Sequence, residues 1–288
     1  LEIFMQSSKN KLLSNLKLIE IDNNLYKADS LEPGWKRIFG GLIVAQGVVA
    51  AYKTINNLTL HSLHSYFIQP GNPLVPIIFK VENLKDGKSF STRNISAFQN
   101  NKIIFFMSAS FHKKENGYSY QDPMPKNIKG PDNLLNEDQI IEIMIKKGLP
   151  ENLKTIWDRG RPIEYRPVRP RNLYNLKAKK PKQYTWMKFK EKLPISIALH
   201  HAILSYASDY TLLDTALMPH KLSVFNKDVM VASLDHSLWI HRDFKADDWL
   251  LYVQNSPLAF GGRAIAKGSI YTRNGLLVAS VAQEGIIR

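Results

Sequence analysis

One acidic residue, Asp209, lies in the middle of a strongly apolar segment, Ala198–Leu217. Apolar residues recur there at helical spacing, and the other faces are also mostly apolar or small, so the segment predicts a buried helix. No basic residue stands three or four positions from Asp209. A buried carboxylate without such a partner must receive hydrogen bonds from other donors or have a raised pKa. Two roles fit it: a structural aspartate held by donors, or a general base that accepts a proton from water.

Three histidines are the other side chains near Asp209 that could do chemistry. His200 and His201 precede it, and His220 follows it. Adjacent residues of a helix point to different faces, so we expect no metal site here. The chain has no cysteine, which excludes a thiolate ligand, a cysteine nucleophile and a disulfide. Motifs of the G-x-S-x-G, Walker A, G-x-G-x-x-G and H-E-x-x-H types are also absent from the sequence, and we expect no cofactor.

The composition is that of a soluble globular chain, with 44% hydrophobic and 22% charged residues. Its net charge of +14 is concentrated between Lys113 and Lys192. A basic stretch is compatible with nucleic acid, a phosphate-bearing small ligand or a solvated connector. Because no nucleic-acid-binding motif is recognisable, we expect no nucleic-acid partner and mostly solvated side chains. The densest part of the stretch contains Arg159, Arg161, Arg166, Arg169, Arg171, Lys177, Lys179, Lys180 and Lys182.

The sequence carries no sign of a membrane span or a secretory signal. Every apolar run is shorter than the roughly 18 residues that cross a bilayer, and the charge near the N-terminus follows the apolar residues instead of preceding them. A cysteine-free chain fits a reducing compartment. We therefore expect a cytoplasmic protein, or a peroxisomal one if the C-terminus, Ile-Ile-Arg, has been cut short.

Periodicity and turn residues divide the chain into halves with the same order: an apolar helix, then a run of four strands. In the first half we predict helices Ser8–Glu20 and Phe39–Thr54, a turn at Glu32-Pro33-Gly34, and strands Asn24–Ser30, Leu63–Gln69, Val75–Leu84, Ser89–Gln99 and Lys102–His112. A polar segment with one helix, Glu137–Lys147, follows. Beyond it we predict helix Ala198–Leu217 and strands Ile163–Val168, Tyr184–Leu193, Met230–His241, Asp247–Asn255, Gly261–Tyr271 and Leu276–Glu284.

The two halves also share short sequences. LHSYF, which contains His64, resembles DHSLW, which contains His236, at a separation of 172 residues. Similarly, Lys102–His112 resembles Arg273–Gln283 at 171 residues. Two landmarks with nearly one period favour a duplication. We expect an α+β fold in which each half is a curved antiparallel sheet around one buried helix, with a sheet edge available to its sister half.

Seven motifs occur in order along almost the whole chain. They are RIFGGLIVAQ, HSYFIQPG, DGKSFSTR, QDPMP, YASD, LDHSLWIHR and VAQEG. At this order and spacing they resemble the acyl-CoA thioesterase II family, the double-hotdog thioesterases of bacteria and peroxisomes. The resemblance implies a double hotdog, two tandem antiparallel sheets each wrapped around one buried helix. It further implies an N-terminal hotdog at 1–115, a connector at 116–160, and a C-terminal hotdog with the catalytic residues at 161–288.

The resemblance also implies a catalytic trio: Asp209 of YASD, Ser233 just before the LDHS strand, and Gln283 of QEG. The family often has Thr at the second position, and Ser keeps the hydroxyl while it loses the methyl group. In the first half, His61 and His112 stand roughly where the second half has Ser233 and Gln283. We therefore expect that half to be degenerate and the chain to have one active site.

Such a trio would hydrolyse acyl-CoA to fatty acid and CoA. Asp209 would activate a water, and Ser233 and Gln283 would fix both the carboxylate and the water. We expect burial to raise the pKa of Asp209 toward the working range. The oxyanion is expected to meet a backbone N–H near a buried helix start, for which Gly40-Gly41 is the candidate.

Two other functions stay open at this point: a hotdog enoyl-thioester hydratase or dehydratase, and a non-catalytic acyl-CoA-binding module. The hydratases to which it would be related usually need an Asp and a His at close spacing, and Asp209 has no His downstream in its helix. We also expect acyl-CoA as substrate and a homodimer or larger homo-oligomer. His64 and His236 are expected to be structural. The aromatic residues expected first in the core, and some of them along an acyl tunnel, are Tyr66, Phe67, Trp239 and Tyr252.

Overall fold

The computed structural model describes residues 8–30, 37–148, 161–173, 175–226 and 228–288. The predicted turn at Glu32-Pro33-Gly34 and the basic residue Arg159 lie outside these ranges. The helices are α1 Ser8–Asn15, α2 Gly40–Tyr52, α3 Glu137–Lys146, α4 Ile197–Asp209 and α5 Asp214–Leu217. No helix of the described ranges is both long and apolar enough to cross a membrane.

The strands of the described residues form one antiparallel sheet of 13 strands. They are β1 Ile19–Asp22, β2 Leu25–Ala28, β3 Thr59–Phe67, β4 Ile77–Asp86, β5 Phe90–Gln99, β6 Lys102–His112, β7 Ile163–Pro167, β8 Lys182–Phe189, β9 Val231–Ser233, β10 Asp235–Ile240, β11 Leu250–Phe260, β12 Arg263–Thr272 and β13 Leu277–Ile287. Their spatial order is β1-β2-β4-β5-β6-β3-β10-β13-β12-β11-β8-β7, and β9 pairs with β13. This order reads the same way outward from the β3–β10 junction on both sides, as expected for two related halves.

The junction between the halves is an ordinary strand pair. β3 and β10 run antiparallel, with Leu63 opposite Leu238. The Ser65 hydroxyl also donates to the backbone oxygen of His236 at 2.8 Å. The two sheets that the sequence predicts are therefore joined edge to edge into one.

The helices α2 and α4 lie on the inner face of the sheet and against each other. Ten of the 13 residues of α2 are buried, which follows from its sequence, GGLIVAQGVVAAY. The two helices approach closely, because a methyl group on Gly41 would lie only 2.4 Å from the backbone oxygen of Tyr206 in α4. A glycine here allows a contact that any side chain would prevent.

A buried arginine fixes the C-terminal end of α2. Arg93 on β5 donates to both the hydroxyl and the backbone oxygen of Thr54, at 2.8 and 3.0 Å. It also pairs with Asp86 at 2.5 Å. A cation at a helix C-terminus is favourable because backbone carbonyls there have no partner within the helix. The DGKSFSTR motif thus has a structural role.

Three predicted elements differ from the structure. The helix predicted at Ser8–Glu20 ends at Asn15, and β1 takes its last residues. The helix predicted at Ala198–Leu217 breaks after Asp209, and only Asp214–Leu217 is again helical. The strand predicted at Met230–His241 is interrupted at Leu234, whose N–H bonds to Glu284 and whose oxygen accepts from Phe67. The remaining elements agree to within a few residues at each end.

Candidate active site

Asp209 is the last residue of α4, not a residue in its middle. Two buried tyrosines bind the last turn of the helix. The Tyr165 hydroxyl donates to the Ala207 oxygen at 3.1 Å, and the Tyr252 hydroxyl donates to the Ser208 oxygen at 2.8 Å. A longer helix would use those carbonyls for the N–H groups of its next turn. The tyrosines therefore bind carbonyls that the end of the helix leaves available, and they fix the residue at its end.

The three side chains of the predicted trio are hydrogen-bonded to one another. Gln283 Nε2 donates to Asp209 Oδ1 at 2.8 Å and to Ser233 Oγ at 2.6 Å. Ser233 Oγ in turn donates to Asp209 Oδ1 at 3.1 Å. Asp209 and Gln283 are 7% and 1% exposed. The buried carboxylate thus has the hydrogen-bond donors that its environment requires, and both bind the same oxygen.

The second carboxylate oxygen, Oδ2, points at the start of α2. A methyl group on Gly40 would lie 2.7 Å from this oxygen and 3.1 Å from the Phe67 ring. Within the described ranges, no protein group donates a hydrogen bond to Oδ2. The N–H groups of Gly40 and Gly41 belong to the first turn of α2, which leaves them without partners inside the helix. An oxygen acceptor and a helix N-terminus therefore face the same small space.

A chain of hydrogen bonds extends behind the trio. His236 Nδ1 lies 2.7 Å from Gln283 Oε1, and its Nε2 lies 3.0 Å from the Ser208 hydroxyl. The His236 side chain is fully buried. Ser208 is the neighbour of Asp209 in α4, so this series of hydrogen bonds starts and ends on adjacent residues.

Short strand β9 brings Ser233 to the site. Ser233 pairs with Gly285 of β13, two residues from Gln283. A methyl group on Gly285 would lie 2.4 Å from the Leu213 side chain and 3.0 Å from the Ala232 oxygen. The glycine of the QEG motif therefore lets β9 and the chain after α4 approach β13. From the other half, Arg37 donates to the Val231 oxygen at 2.8 Å.

The histidines of the first half do not lie at the places that the sequence similarity between the halves suggested. His64 is exposed and His236 is buried, so the two histidines lie on opposite faces of the sheet. His112 also lies on the outer face of β6, where its ring stacks on Phe90 at 4.2 Å. His61 bonds to Ser110 on that face. The expectation that His61 and His112 lie roughly where the second half has Ser233 and Gln283 is therefore wrong, because both histidines are on the outer face of the sheet.

The two histidines of α4 have structural partners. His200 Nδ1 accepts from the Ala246 N–H at 3.1 Å, and His201 Nδ1 lies 2.9 Å from the Tyr52 hydroxyl. Burial lowers the pKa of His201 to about 3. Among the described residues, no group of three or more His, Asp and Glu side chains could hold a metal.

Three arginines of the basic stretch have partners within the protein. Arg161 pairs with Glu137 at 2.6 Å, Arg166 pairs with Glu164 at 2.6 Å, and Arg171 donates to the Leu222 oxygen. Arg161 and Arg166 hold the connector to the second half, since Arg166 also donates to the Pro131 oxygen at 2.8 Å. Arg171 bonds within the second half. These three are exceptions to the expectation that most of the stretch is solvated. The exposed members are Arg169, Lys177, Lys179, Lys180 and Lys182.

The four aromatic residues divide between the core and the surface. Tyr252 is fully buried, and Phe67 packs beside Gly40 at the site. Tyr66 is 59% exposed, so the expectation that it lies in the core is wrong. Trp239 is half-buried and contacts His64 edge-on.

Comparison with known proteins identifies the family. Residues 156–286 match the family model described as acyl-CoA thioesterase, and residues 31–112 match the acyl-CoA thioesterase N-terminal domain. Acyl-CoA thioesterase 2 of Haemophilus influenzae is 36% identical over 285 residues, 99% of each chain. The chain belongs to the acyl-CoA thioesterase family. Acyl-coenzyme A thioesterase 8 of Mus musculus is 37% identical to this family member, over 96% of this chain and 88% of the mouse protein.

Solved structures give the same fold for this thioesterase-family chain. The acyl-CoA thioesterase II of Mycobacterium marinum superimposes with a TM-score of 0.78 at 37% identity, over 96% of this chain and 98% of that one. A hot dog fold protein of Alicyclobacillus acidocaldarius has the same TM-score, 0.78, at 15% identity and with nearly equal coverage, 96% and 98%. The predicted double hotdog is confirmed.

Sequence reasoning did not place His236 beside Gln283. We expected a structural histidine on a half-buried strand, whereas the side chain bonds directly to Gln283. One signal was available: the position of His236 in LDHSLWIHR, three residues after Ser233. The strand break at Leu234, which brings both residues to the site, leaves no mark in the alternation pattern.

Proposed function

We propose that this chain hydrolyses acyl-CoA thioesters to a carboxylic acid and CoA, with a water activated by Asp209. The observation that carries the proposal is the arrangement of the carboxylate. Ser233 and Gln283 both bind Oδ1, and Oδ2 is left facing the N-terminus of α2. A carboxylate with one anchored and one available oxygen can accept a proton while its orientation stays fixed.

The reaction follows from that arrangement. A water bound to Asp209 Oδ2 attacks the thioester carbonyl carbon, and the carboxylate takes its proton. The carbonyl oxygen becomes an oxyanion, and the free N–H groups of Gly40 and Gly41 are suited to stabilise it, together with the helix dipole. The carbon–sulfur bond then breaks, and Asp209 returns the proton to the thiolate of CoA.

Ser233 and Gln283 have distinct parts in this scheme. The two amide hydrogens of Gln283 go to Asp209 and Ser233, so this one side chain holds the other two together. The Ser233 hydroxyl accepts one hydrogen bond and donates another, which a Thr hydroxyl would do equally. Neither side chain needs to react itself; both limit the motion of the base.

A hydratase is less well supported by the geometry. A hydratase of this fold needs a histidine beside the acid, and the buried His236 bonds to Gln283 instead of Asp209. Its ring nitrogens are both engaged within the protein, at Gln283 and Ser208. Asp209 therefore has no histidine beside it and would activate a water without one.

The test is release of free thiol from acyl-CoAs of increasing chain length, followed with a thiol reagent. The wild-type chain should release CoA from at least one of them. Gln283→Ala should lower kcat about 100-fold, the lower end of the range for acid–base contributions. Gln99→Ala is the matched control, since it removes another buried glutamine, one that bonds to Asn72 and Val75 and to no member of the trio.

The outcomes separate the candidate functions. If no acyl-CoA yields thiol but an enoyl-CoA is hydrated, the hydrolase proposal is wrong and the hydratase is correct. Binding of acyl-CoA without either reaction identifies a non-catalytic module. A Gln283→Ala enzyme as fast as Gln99→Ala would leave the hydrolase in place and remove the trio.

A further inference from the structure

We propose that His236 is a positioning residue that sets the orientation of the Gln283 side-chain amide, and through it the hydrogen bonds to Asp209 and Ser233. This inference rests on the proposed function, because it assigns His236 a part in the same site. His236 does not contact the reacting atoms in this scheme. It acts one hydrogen bond behind them.

The orientation of the Gln283 amide matters because its two ends have opposite character. The nitrogen end donates to Asp209 Oδ1 and Ser233 Oγ. If the amide turned by half a rotation, its oxygen would face a carboxylate oxygen, and the contact would be repulsive. Two anchored bonds would be lost at once, and the carboxylate of Asp209 would be free to rotate.

His236 can enforce the productive orientation only through its Nδ1–H. Gln283 Oε1 lies 2.7 Å from Nδ1 and can only accept, so Nδ1 must donate. At the other ring nitrogen, the Ser208 hydroxyl can either donate or accept, because it also reaches the Ser205 oxygen at 3.1 Å. Whichever direction that second bond takes, the Nδ1 hydrogen is required.

The surroundings of His236 leave the ring little freedom. The side chain is fully buried, and its backbone oxygen accepts from Ser65 of the first half at 2.8 Å. Ser208 holds the far side of the ring from the last turn of α4. The relay runs from α4 through β10 and β13 back to α4, so its length is fixed by elements that already pack together.

Two substitutions separate the two ends of the ring. His236→Asn places an amide nitrogen near the position of Nδ1 and loses the contact with Ser208. His236→Gln places its amide near Nε2 and loses the donor to Gln283. We expect His236→Asn to keep kcat within about threefold of wild type, since the donor remains. His236→Gln should lower kcat about 100-fold, the effect of a misplaced catalytic group, with KM nearly unchanged.

A purely structural role predicts a different result. Both variants remove one bond from a buried ring, so their melting temperatures should fall by similar amounts. If their kcat values also fall equally, or if His236→Gln is the faster enzyme, the inference is overturned. A wild-type chain without thioesterase activity would overturn the proposed function instead, and the two failures are therefore distinguishable.

A double substitution tests the route of the effect. In a Gln283→Ala background, His236→Gln should lower kcat by less than about twofold, because the side chain through which it acts is already absent. Independent losses that multiply would contradict the relay. Nitrogen NMR of the imidazole gives a readout without activity: Nδ1 of His236 should carry a hydrogen in the wild-type protein. A bare Nδ1 would rule the mechanism out.

Discussion

The C-terminal ends of α2 and α4 occupy equivalent places in the two halves but carry different chemistry. We call them the Tyr52 corner and the Asp209 corner. Both helices have 13 residues, and each ends in a polar side chain, Tyr52 in α2 and Asp209 in α4. Tyr52 accepts the Leu60 N–H and lies 2.9 Å from His201 Nδ1, so its hydroxyl is used in both directions. At Asp209, the donors Ser233 and Gln283 occupy one oxygen only.

The N-terminal ends of the two helices also differ, because a side chain caps one of them and not the other. The α4 start is closed by its own N-cap, since the Ser196 side chain accepts from the Leu199 N–H. The α2 start has Phe39 at the N-cap position with no side-chain cap, followed by Gly40 and Gly41. The N–H groups at the Asp209 corner thus have no side-chain cap.

Similar backbones therefore carry a closed cluster of side chains at the Tyr52 corner and the proposed active site at the Asp209 corner. The Tyr52 corner is surrounded by rings, with Phe111 edge-on to Tyr52 and Phe244 stacked on His201. Burial raises the pKa of Tyr52 and lowers that of His201, which keeps both groups uncharged. Chemistry in this fold is decided by a few side chains placed on a shared scaffold.

The largest expected difference between the corners is in turnover. Asp209→Asn removes the proposed proton acceptor but keeps the size of the side chain, so kcat should fall by about 100- to 10,000-fold. The melting temperature should change little, because the amide can still accept from Ser233 or Gln283. Thiol release and thermal unfolding measure the two effects on the same samples.

Tyr52→Phe is the matching change at the other corner. It leaves the Leu60 N–H and His201 Nδ1 without their partner, and should cost about 1–3 kcal/mol of unfolding free energy. Turnover of the folded protein should stay near wild type. A Tyr52→Phe enzyme as impaired as Asp209→Asn would show that the first half carries chemistry as well.

A smaller effect on kcat is expected from Gly40→Ala, which fills the space at the start of α2. Gly40→Ala would place a methyl group 2.7 Å from Asp209 Oδ2, so the carboxylate must move. A shift of this kind at the reacting group should lower kcat about 100-fold while the protein stays folded. Thiol release at saturating acyl-CoA measures it.

Gly47→Ala in the same helix is the control. Its methyl group would meet the flexible end of Met107 at 3.0 Å, which can give way. Activity should persist, and alanine should stabilise the helix by up to about 1 kcal/mol. Equal activity losses at both glycines would mean that α2 itself, and not the contact with Asp209, is sensitive.

The fold was largely predictable because its signals are local. Alternation and turn residues such as Asn100-Asn101 gave the hairpins, and β6 matches its predicted bounds at both ends. The break of α4 after Asp209 was not predictable, since the hydroxyl groups that bind its last carbonyls, those of Tyr165 and Tyr252, come from distant strands. The apolar spacing typical of a helix continues past the break in the sequence.

The site was predictable only in part, and by resemblance more than by pattern. Asp209 stands out from its surroundings, whereas Ser233 and Gln283 were found through family motifs alone. His61 and His112 were expected roughly at the places of Ser233 and Gln283, but both lie on the outer face of the sheet. Successive residues of a strand point to opposite faces, so an alignment of the two halves that is off by one residue puts a side chain on the wrong face. The contact between Gly40 and Asp209 joins two helices from different halves, and a spacing argument within one half cannot reach it.

The smallest expected effect concerns stability at the Tyr52 corner. Burial lowers the pKa of His201 from its ordinary 6.5 to about 3, so between these values the unfolded chain binds a proton that the folded chain does not. Stability should therefore fall as the pH falls, and His201 should account for about 2 kcal/mol of the loss between pH 7 and pH 5.

Denaturant unfolding of wild type and His201→Phe at both pH values isolates this share, because phenylalanine keeps the ring against Phe244 and cannot take up a proton. Tyr52→Phe should retain the wild-type difference between pH 7 and pH 5, since burial and not the tyrosine hydroxyl is the main cause of the shift. If His201→Phe loses as much stability as wild type over this range, His201 is not the group that makes this corner sensitive to acid.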